Sequence, residues 1–327
     1  MASPHNEPLF DLLSFARPGP GRRDRLSATD MPQIARTVGR TPEVMVKVLS
    51  RSASDVNTVR KHLEYIGRKG EVDLETDSGE TAKLAEDILD DWDLELDEYR
   101  PGADLSATDR KQPPRLVHKV LFSMPAGTPP AKVLGAVQNF CREEFGLKHR
   151  YAMALHTDEP HPHVHVVIKA ISERGERLNI RKPMLRQWRA EFARHLRMLG
   201  VSANATDRRV RGETRTQKSD GIYRASLRGQ STHMRSRTEA VARELAAGRL
   251  QVDAARAGML RTRRDVRHAW NIVGDILVRQ EQPELARQVR RFAQNMPPLM
   301  TEKEAIAAQL VERARKHVKR ERHPEGR

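Results

Sequence analysis

The stretch Tyr151–Ser172, YAMALHTDEPHPHVHVVIKAIS, decides how the rest of the chain is read. Both of its halves read as strands, and the proline-containing piece Glu159–Pro162 between them is short enough to turn the chain back as a hairpin. Side chains on a strand alternate faces with a period of two. His163 and His165 therefore share one face, while Val164, Val166 and Ile168 share the other and point into a core. The return of the chain brings His156 alongside on the histidine face. Three imidazoles converging from adjacent strands make a site for a divalent ion, with coordination positions left open for water or substrate. Asp158 is placed to accept the outer N–H of a ligating histidine. A histidine-rich tract can also bind metal adventitiously. Two histidines at i and i+2, with a wholly aliphatic alternate face, favour a built site.

Working outward, Glu43–Ser50 (EVMVKVLS) alternates apolar and polar residues as a strand, and Ser52–Gly70 follows as a helix that Gly70 stops. Arg115–Pro125 is a further strand, and Pro130–Gly146 is an amphipathic helix carrying Val133, Leu134, Val137, Phe140 and Phe145. Leu185–Leu199 is another helix. Strands joined both by helices and by a hairpin specify an α+β domain, here residues 43–205. Residues 1–42, rich in Pro, Gly, Asp and Arg, read as a largely disordered segment. Residues 206–327 read as a basic, mainly helical region for binding a polyanion or a partner.

A metal does not define a reaction, so the candidate nucleophiles matter next. The chain has four tyrosines: Tyr65, Tyr99, Tyr151 and Tyr223. On the helix over Ser52–Gly70, Val56, Val59, Leu63 and Ile66 form one apolar stripe. At 100° per residue, Tyr65 stands roughly 140° from the centre of that stripe. Its own face carries Lys61, His62, Arg68 and Lys69 at i−4, i−3, i+3 and i+4. A phenol among potential cations is placed to meet a phosphodiester. The plainer alternative is an exposed tyrosine on a DNA-contacting helix. Tyr151 sits in a strand as packing, Tyr99 lies in an acidic stretch, and Tyr223 is the reserve candidate.

Taken together, the pattern His156-x-Asp158-(x)4-Pro162-His163-x-His165-Val-Val resembles the third motif of conjugative and mobilisation relaxases of the HUH class. The stretch His62-Leu-Glu-Tyr65-Ile-Gly-Arg68-Lys69-Gly70 resembles their first motif, particularly that of the Agrobacterium T-DNA border endonuclease group. The tyrosine precedes the histidines, as in relaxases; in replication initiators and related transposases it usually follows them. The resemblance covers roughly residues 43–205. It implies Tyr65 as nucleophile, His156, His163 and His165 as ligands of a divalent ion (Mg²⁺ or Mn²⁺), and Asp158 as the acidic residue near them. It matches His161 to a variable position and Ser123 to a serine that contacts DNA near the nick. His161 or His118 is a candidate acceptor of the phenolic proton. Lys61, Arg68, Lys69, Arg181 and Lys182 are candidate DNA contacts. The implied fold is a central antiparallel sheet of about five strands with flanking helices. The implied reaction is transesterification at a transfer origin, with the strand rejoined after transfer. The implied partners are single-stranded or melted DNA, relaxosome accessory proteins and a type IV coupling protein.

Composition agrees with a polyanionic partner. The 327 residues carry a formal charge of +15, and only 4% are aromatic. From Thr206 onward there are 28 Lys and Arg against 15 Asp and Glu, while the preceding residues hold 31 against 29. Within that near-neutral part, Glu71–Arg110 holds 15 acidic residues against 3 basic ones, which reads as a solvated face or an internal screen. One cysteine excludes a disulfide scaffold and a cysteine zinc site. No apolar run approaches the ~20 residues of a membrane span, and no signal-peptide core is present. The expected setting is therefore a bacterial cytoplasm without membrane insertion, and the resemblance implies translocation to a recipient cell alongside the DNA. The run Arg313–Arg322 ends in an Arg/Lys cluster of the kind found in transfer signals. The rival readings are a replication initiator or transposase, a non-catalytic DNA-binding accessory protein, and a hydrolase using metal-bound hydroxide. No GxxxxGK[ST] pattern is present to add a helicase.

Overall fold

A computed structural model describes residues 11–16, 23–49, 53–94, 115–213 and 220–322. The elements begin with α1 (Leu13–Ala16), α2 (Asp30–Val38), β1 (Met45–Val48), α3 (Val56–Ile66), β2 (Leu74–Thr76), β3 (Thr81–Ala82), α4 (Ala85–Trp92) and β4 (Val117–Ser123). They continue with α5 (Pro130–Phe145), β5 (Tyr151–His156), β6 (His163–Lys169), α6 (Lys182–Met198), α7 (Asp220–Leu227), α8 (Thr232–Ala246), α9 (Ala255–Arg279), α10 (Pro283–Gln294) and α11 (Glu302–Arg322). These fall into two compact units, residues 39–205 and residues 1–38 together with 206–327.

The first unit is an α+β fold on one six-stranded antiparallel sheet in the order β1-β4-β6-β5-β2-β3. The sequence reading of about five strands misses the short pair β2 and β3. Both lie in the acidic stretch, where charge hides the alternation that marks a strand. One face of the sheet is covered by α5 and α6. There Phe122, Phe140, Phe145, Trp188 and Phe192 pack at ring distances of 5.1–5.9 Å among Val46, Val120, Val164, Val166 and Ile168. The other face is covered by α3 and α4, whose Val59, Leu63, Ile66, Ile88, Leu89 and Trp92 pack on Ala152, Ala154 and Val167. The two alanines let α3 approach the strands closely. Thus part of the acidic stretch is an amphipathic helix, α4, whose Glu86, Asp87, Asp90 and Asp91 form a solvated face while its apolar side enters the core. Residues 95–114, including Tyr99, lie outside the described residues.

Asp55 caps α3 by accepting from the backbone N–H and the hydroxyl of Thr58, each at 2.7 Å, which holds that carboxyl below the usual range. At its other end the chain turns through Arg68 (φ 50°), Lys69 (φ 55°) and Gly70 (φ 93°). For the two residues with side chains this left-handed backbone costs roughly 1–2 kcal/mol each, and strain of this kind concentrates at functional sites.

The second unit is helical. Leu12, Phe15, Leu26 and Ile34 are buried in the same core as Val266, Trp270, Val273, Val289 and Phe292. The expectation that residues 1–42 are largely disordered therefore fails for 11–16 and 23–42. Their apolar side chains recur at helical spacing inside a Pro/Gly/Arg-rich average that conceals them. The side chains of the basic run beyond residue 316 lie outside the described residues. Among the described residues, no helix is long and apolar enough to cross a membrane.

Candidate active site

The ladder registers bring the three histidines together. His156 stands directly opposite His163, and His163 opposite Ser123 on its other side. His165, two residues along, shares their face. Opposed pairs on one sheet face have Cβ atoms about 5 Å apart, and the rings follow. Centroids are 5.3 Å apart for His156–His163, 4.8 Å for His156–His165 and 5.3 Å for His163–His165. One nitrogen from each lies within 4.8 Å of the others.

Two of the three rings are oriented by backbone carbonyls. His156 Nε2–H donates to the Ile66 carbonyl at 2.7 Å, which leaves Nδ1 as its free lone pair. His163 Nδ1–H donates to the His161 carbonyl at 3.0 Å, which leaves Nε2. His165 Nδ1 is buried without a hydrogen-bond partner. Burial lowers the pKa of His156 and pushes that of His165 to about 3, the neighbouring histidines adding to the second effect. Three converging imidazoles, two of them disfavoured as cations by burial and one carrying an orphaned nitrogen, fit a divalent ion.

Tyr65 is 56% exposed at the last turn of α3. Its ring meets the edge of His165 at 6.2 Å and 89°. His62, one turn earlier on α3, stacks on Tyr65 at 6.1 Å and 19° and also meets His165 at 6.2 Å. The sequence reading counts His62 among the cations around the phenol, and this is corrected here. Burial, with the Lys119 charge adding, pushes its pKa to about 3, so it is neutral, and its Nε2 has no partner. The i−3 spacing from Tyr65 was the signal that could have linked it to the site.

The other expected residues divide. Ser123, 6% exposed, joins the histidine row. Asp158 does not receive the outer N–H of His156 or of His163, because carbonyls of Ile66 and His161 take those places; the last carbonyls of a helix lack partners within it. Instead Asp158 accepts from Arg68 at 2.6 Å, and this bond holds its carboxyl below the usual range. Arg68 is thereby tied to the segment between β5 and β6, while Lys61 and Lys69 remain exposed. The exposed His161 contributes its carbonyl. His118 points to the opposite face, where its Nε2–H donates to the Leu178 carbonyl at 2.9 Å, and it leaves the list of proton acceptors. Arg181 and Lys182 begin α6, which covers that opposite face, and the structure does not bring them to the histidines.

Glu143, Glu191 and His195 also converge on that opposite face. Arg194 already pairs with both carboxylates, which makes this group an ion-pair network.

Comparison with known proteins adds a likeness to relaxases. The family model for the nuclease domain of MobA/VirD2-like relaxases matches residues 65–200. The T-DNA border endonuclease VirD2 of Agrobacterium fabrum (strain C58) is 26% identical over 215 residues, covering 59% of this chain and 46% of that protein. Its counterparts in Rhizobium radiobacter and Rhizobium rhizogenes are each 27% identical over 192 residues, covering 52% of this chain and 43% and 42% of theirs. The chain thus spans under half the length of the curated relatives it matches. The match begins at Tyr65 and takes in all three histidines, so residues 65–200, the part of the fold built around them, are similar to the nuclease domain of MobA/VirD2-like relaxases.

Proposed function

We propose that this chain nicks one DNA strand at a transfer origin by tyrosine transesterification and later rejoins it. The observation that carries the reading is the Tyr65 ring standing at the edge of His165, one of three histidines that converge on the sheet. His156, through Nδ1, His163, through Nε2, and His165 would hold the ion. When bound, it supplies Lewis-acid polarisation of the scissile phosphate and offsets charge in the transition state.

The Tyr65 phenol oxygen attacks the phosphorus, and the bond from phosphorus to the 3′ oxygen breaks. The departing oxygen keeps the electron pair and takes up a proton, while the phenol loses one. The products are a 5′-phosphotyrosyl link and a free 3′-hydroxyl, and because no water is consumed the reverse step reseals the strand. His62 holds the phenol ring in place by stacking. Ser123, in the row beside His163, and the exposed Lys61 and Lys69 are assigned to contact the strand. Asp158 with Arg68 fixes the segment that carries His161 and leads into His163, and His161 serves through its carbonyl. Arg181 and Lys182 are left as peripheral phosphate contacts. The strand must be single or melted to enter, which calls for accessory proteins, and a type IV coupling protein would take the covalent complex from the cytoplasm to a recipient.

The test is a denaturing gel of purified protein with single-stranded oligonucleotides spanning candidate origins, in Mg²⁺ or Mn²⁺. A protein–DNA adduct in wild type that disappears in Tyr65→Phe supports the reading. Cleavage that survives in Tyr65→Phe without an adduct contradicts it and favours hydrolysis by metal-bound hydroxide.

A further inference from the structure

The helical unit carries a surface that the nicking reading does not use. From Leu285 to Thr301 there is no acidic residue, and α10 occupies most of that interval. Ala286, Val289, Phe292 and Ala293 bury one side of α10. Phe292 meets Trp270 at 5.4 Å, and Trp270 is itself fixed by its Nε1–H donating to the Val210 carbonyl at 2.8 Å. The helix is therefore held rigidly on α9. Its other side presents Arg287, Gln288, Arg291 and Gln294 as one continuous exposed strip. Glu284, one turn earlier, heads the strip and accepts from both Arg287 and Gln288, and the Arg287 and Glu284 side chains are 75% and 66% exposed. A pair so exposed is worth little and yields readily to another anion.

The chemistry of the strip selects among partners. A protein partner would be met by aromatic or aliphatic anchors, and a single strand by an aromatic stacking platform. The strip has neither, since Phe292, the one aromatic on α10, faces inward. What it offers is guanidinium and carboxamide groups, the two side-chain types that bond bidentately to guanine and adenine edges in the major groove. Twelve residues of helix are about 18 Å long, and the groove is about 12 Å wide and admits a helix. We propose that α10 docks in the major groove of duplex DNA, with Arg287, Gln288, Arg291 and Gln294 facing the bases and flanking phosphates. The site is separate from the histidine cluster, and its failure would leave the nicking reading untouched.

The experiment uses the full chain and fluorescence anisotropy at about 100 mM salt. The probes are a mixed-sequence duplex of roughly 25 base pairs and a single strand of the same length. Arg287→Ala combined with Arg291→Ala is expected to weaken duplex binding about tenfold or more and to reduce its salt dependence. Single-strand binding should stay within about threefold. Arg243→Ala combined with Arg249→Ala removes equal charge from exposed positions on or beside α8 and is expected to change duplex binding less than twofold. Arg287→Lys with Arg291→Lys guards against misfolding, since it should recover most of the phosphate-dependent part. Duplex binding unchanged in the alanine pair would overturn the proposal and return the strip to solvent or a protein partner. So would an equal loss from the control pair, or an equal loss on the single strand.

Discussion

His62 and Tyr65 stand three residues apart on α3, so their side chains share a helix face, and His165 closes the group from the sheet. If the stacked imidazole holds the phenol, His62→Ala should lower the nicking rate about 10- to 100-fold, because misplacing a reacting group by an ångström costs that much. Mn²⁺ affinity should be unchanged, and titration calorimetry beside rate measurements would separate the two effects; equal losses in both would make His62 a ligand instead. His118 makes a second prediction. Burial pushes its pKa to about 4, against about 6.5 in the unfolded chain. The unfolded state therefore binds the proton first. Stability is full above about pH 6.5 and is lost as pH falls toward 4, by up to about 3 kcal/mol from this residue. Denaturant midpoints at pH 7.5 and 4.5 should show a smaller acid loss in His118→Gln, whose amide can still reach the Leu178 carbonyl. An unchanged acid loss would remove His118 from the account.

At the scale of elements, the nucleophile helix is placed by small residues beneath it. Ala152 and Ala154 are fully buried against α3. Ala154→Leu should cost about 1–3 kcal/mol of stability by overpacking and should lower nicking more than a surface change of equal stability cost, because α3 carries Tyr65. Thermal melts alongside rates would show it, and a stable, fully active variant would contradict it. This level is where the sequence was most legible. The hairpin around His156, His163 and His165 and the off-stripe position of Tyr65 follow from periods of two and 3.6, which are local. The partners of Asp158, Arg68 and His62 were not legible, since they depend on how α3 meets β5 and β6, and no local pattern records that meeting. The strands β2 and β3 were hidden by their acidic setting.

At the scale of the whole molecule, a segment far from α9 and α10 in sequence completes their core. Burial of Leu12, Phe15, Leu26 and Ile34 is worth roughly 1.5–3 kcal/mol each, comparable in sum with the entire stability of a typical domain. A chain lacking residues 1–38 should therefore lose the cooperative melting of its helical unit while residues 39–205 keep theirs. Calorimetry would contradict this if both transitions survived. The central claim concerns Tyr65. Its most direct test is to form the adduct on an origin oligonucleotide labelled at the scissile phosphate, digest both the DNA and the protein, and locate the modified residue by mass spectrometry. The account predicts a nucleotide phosphate on the peptide containing Tyr65. A phosphotyrosyl bond at Tyr223, or nicked DNA with no modified peptide, would contradict it.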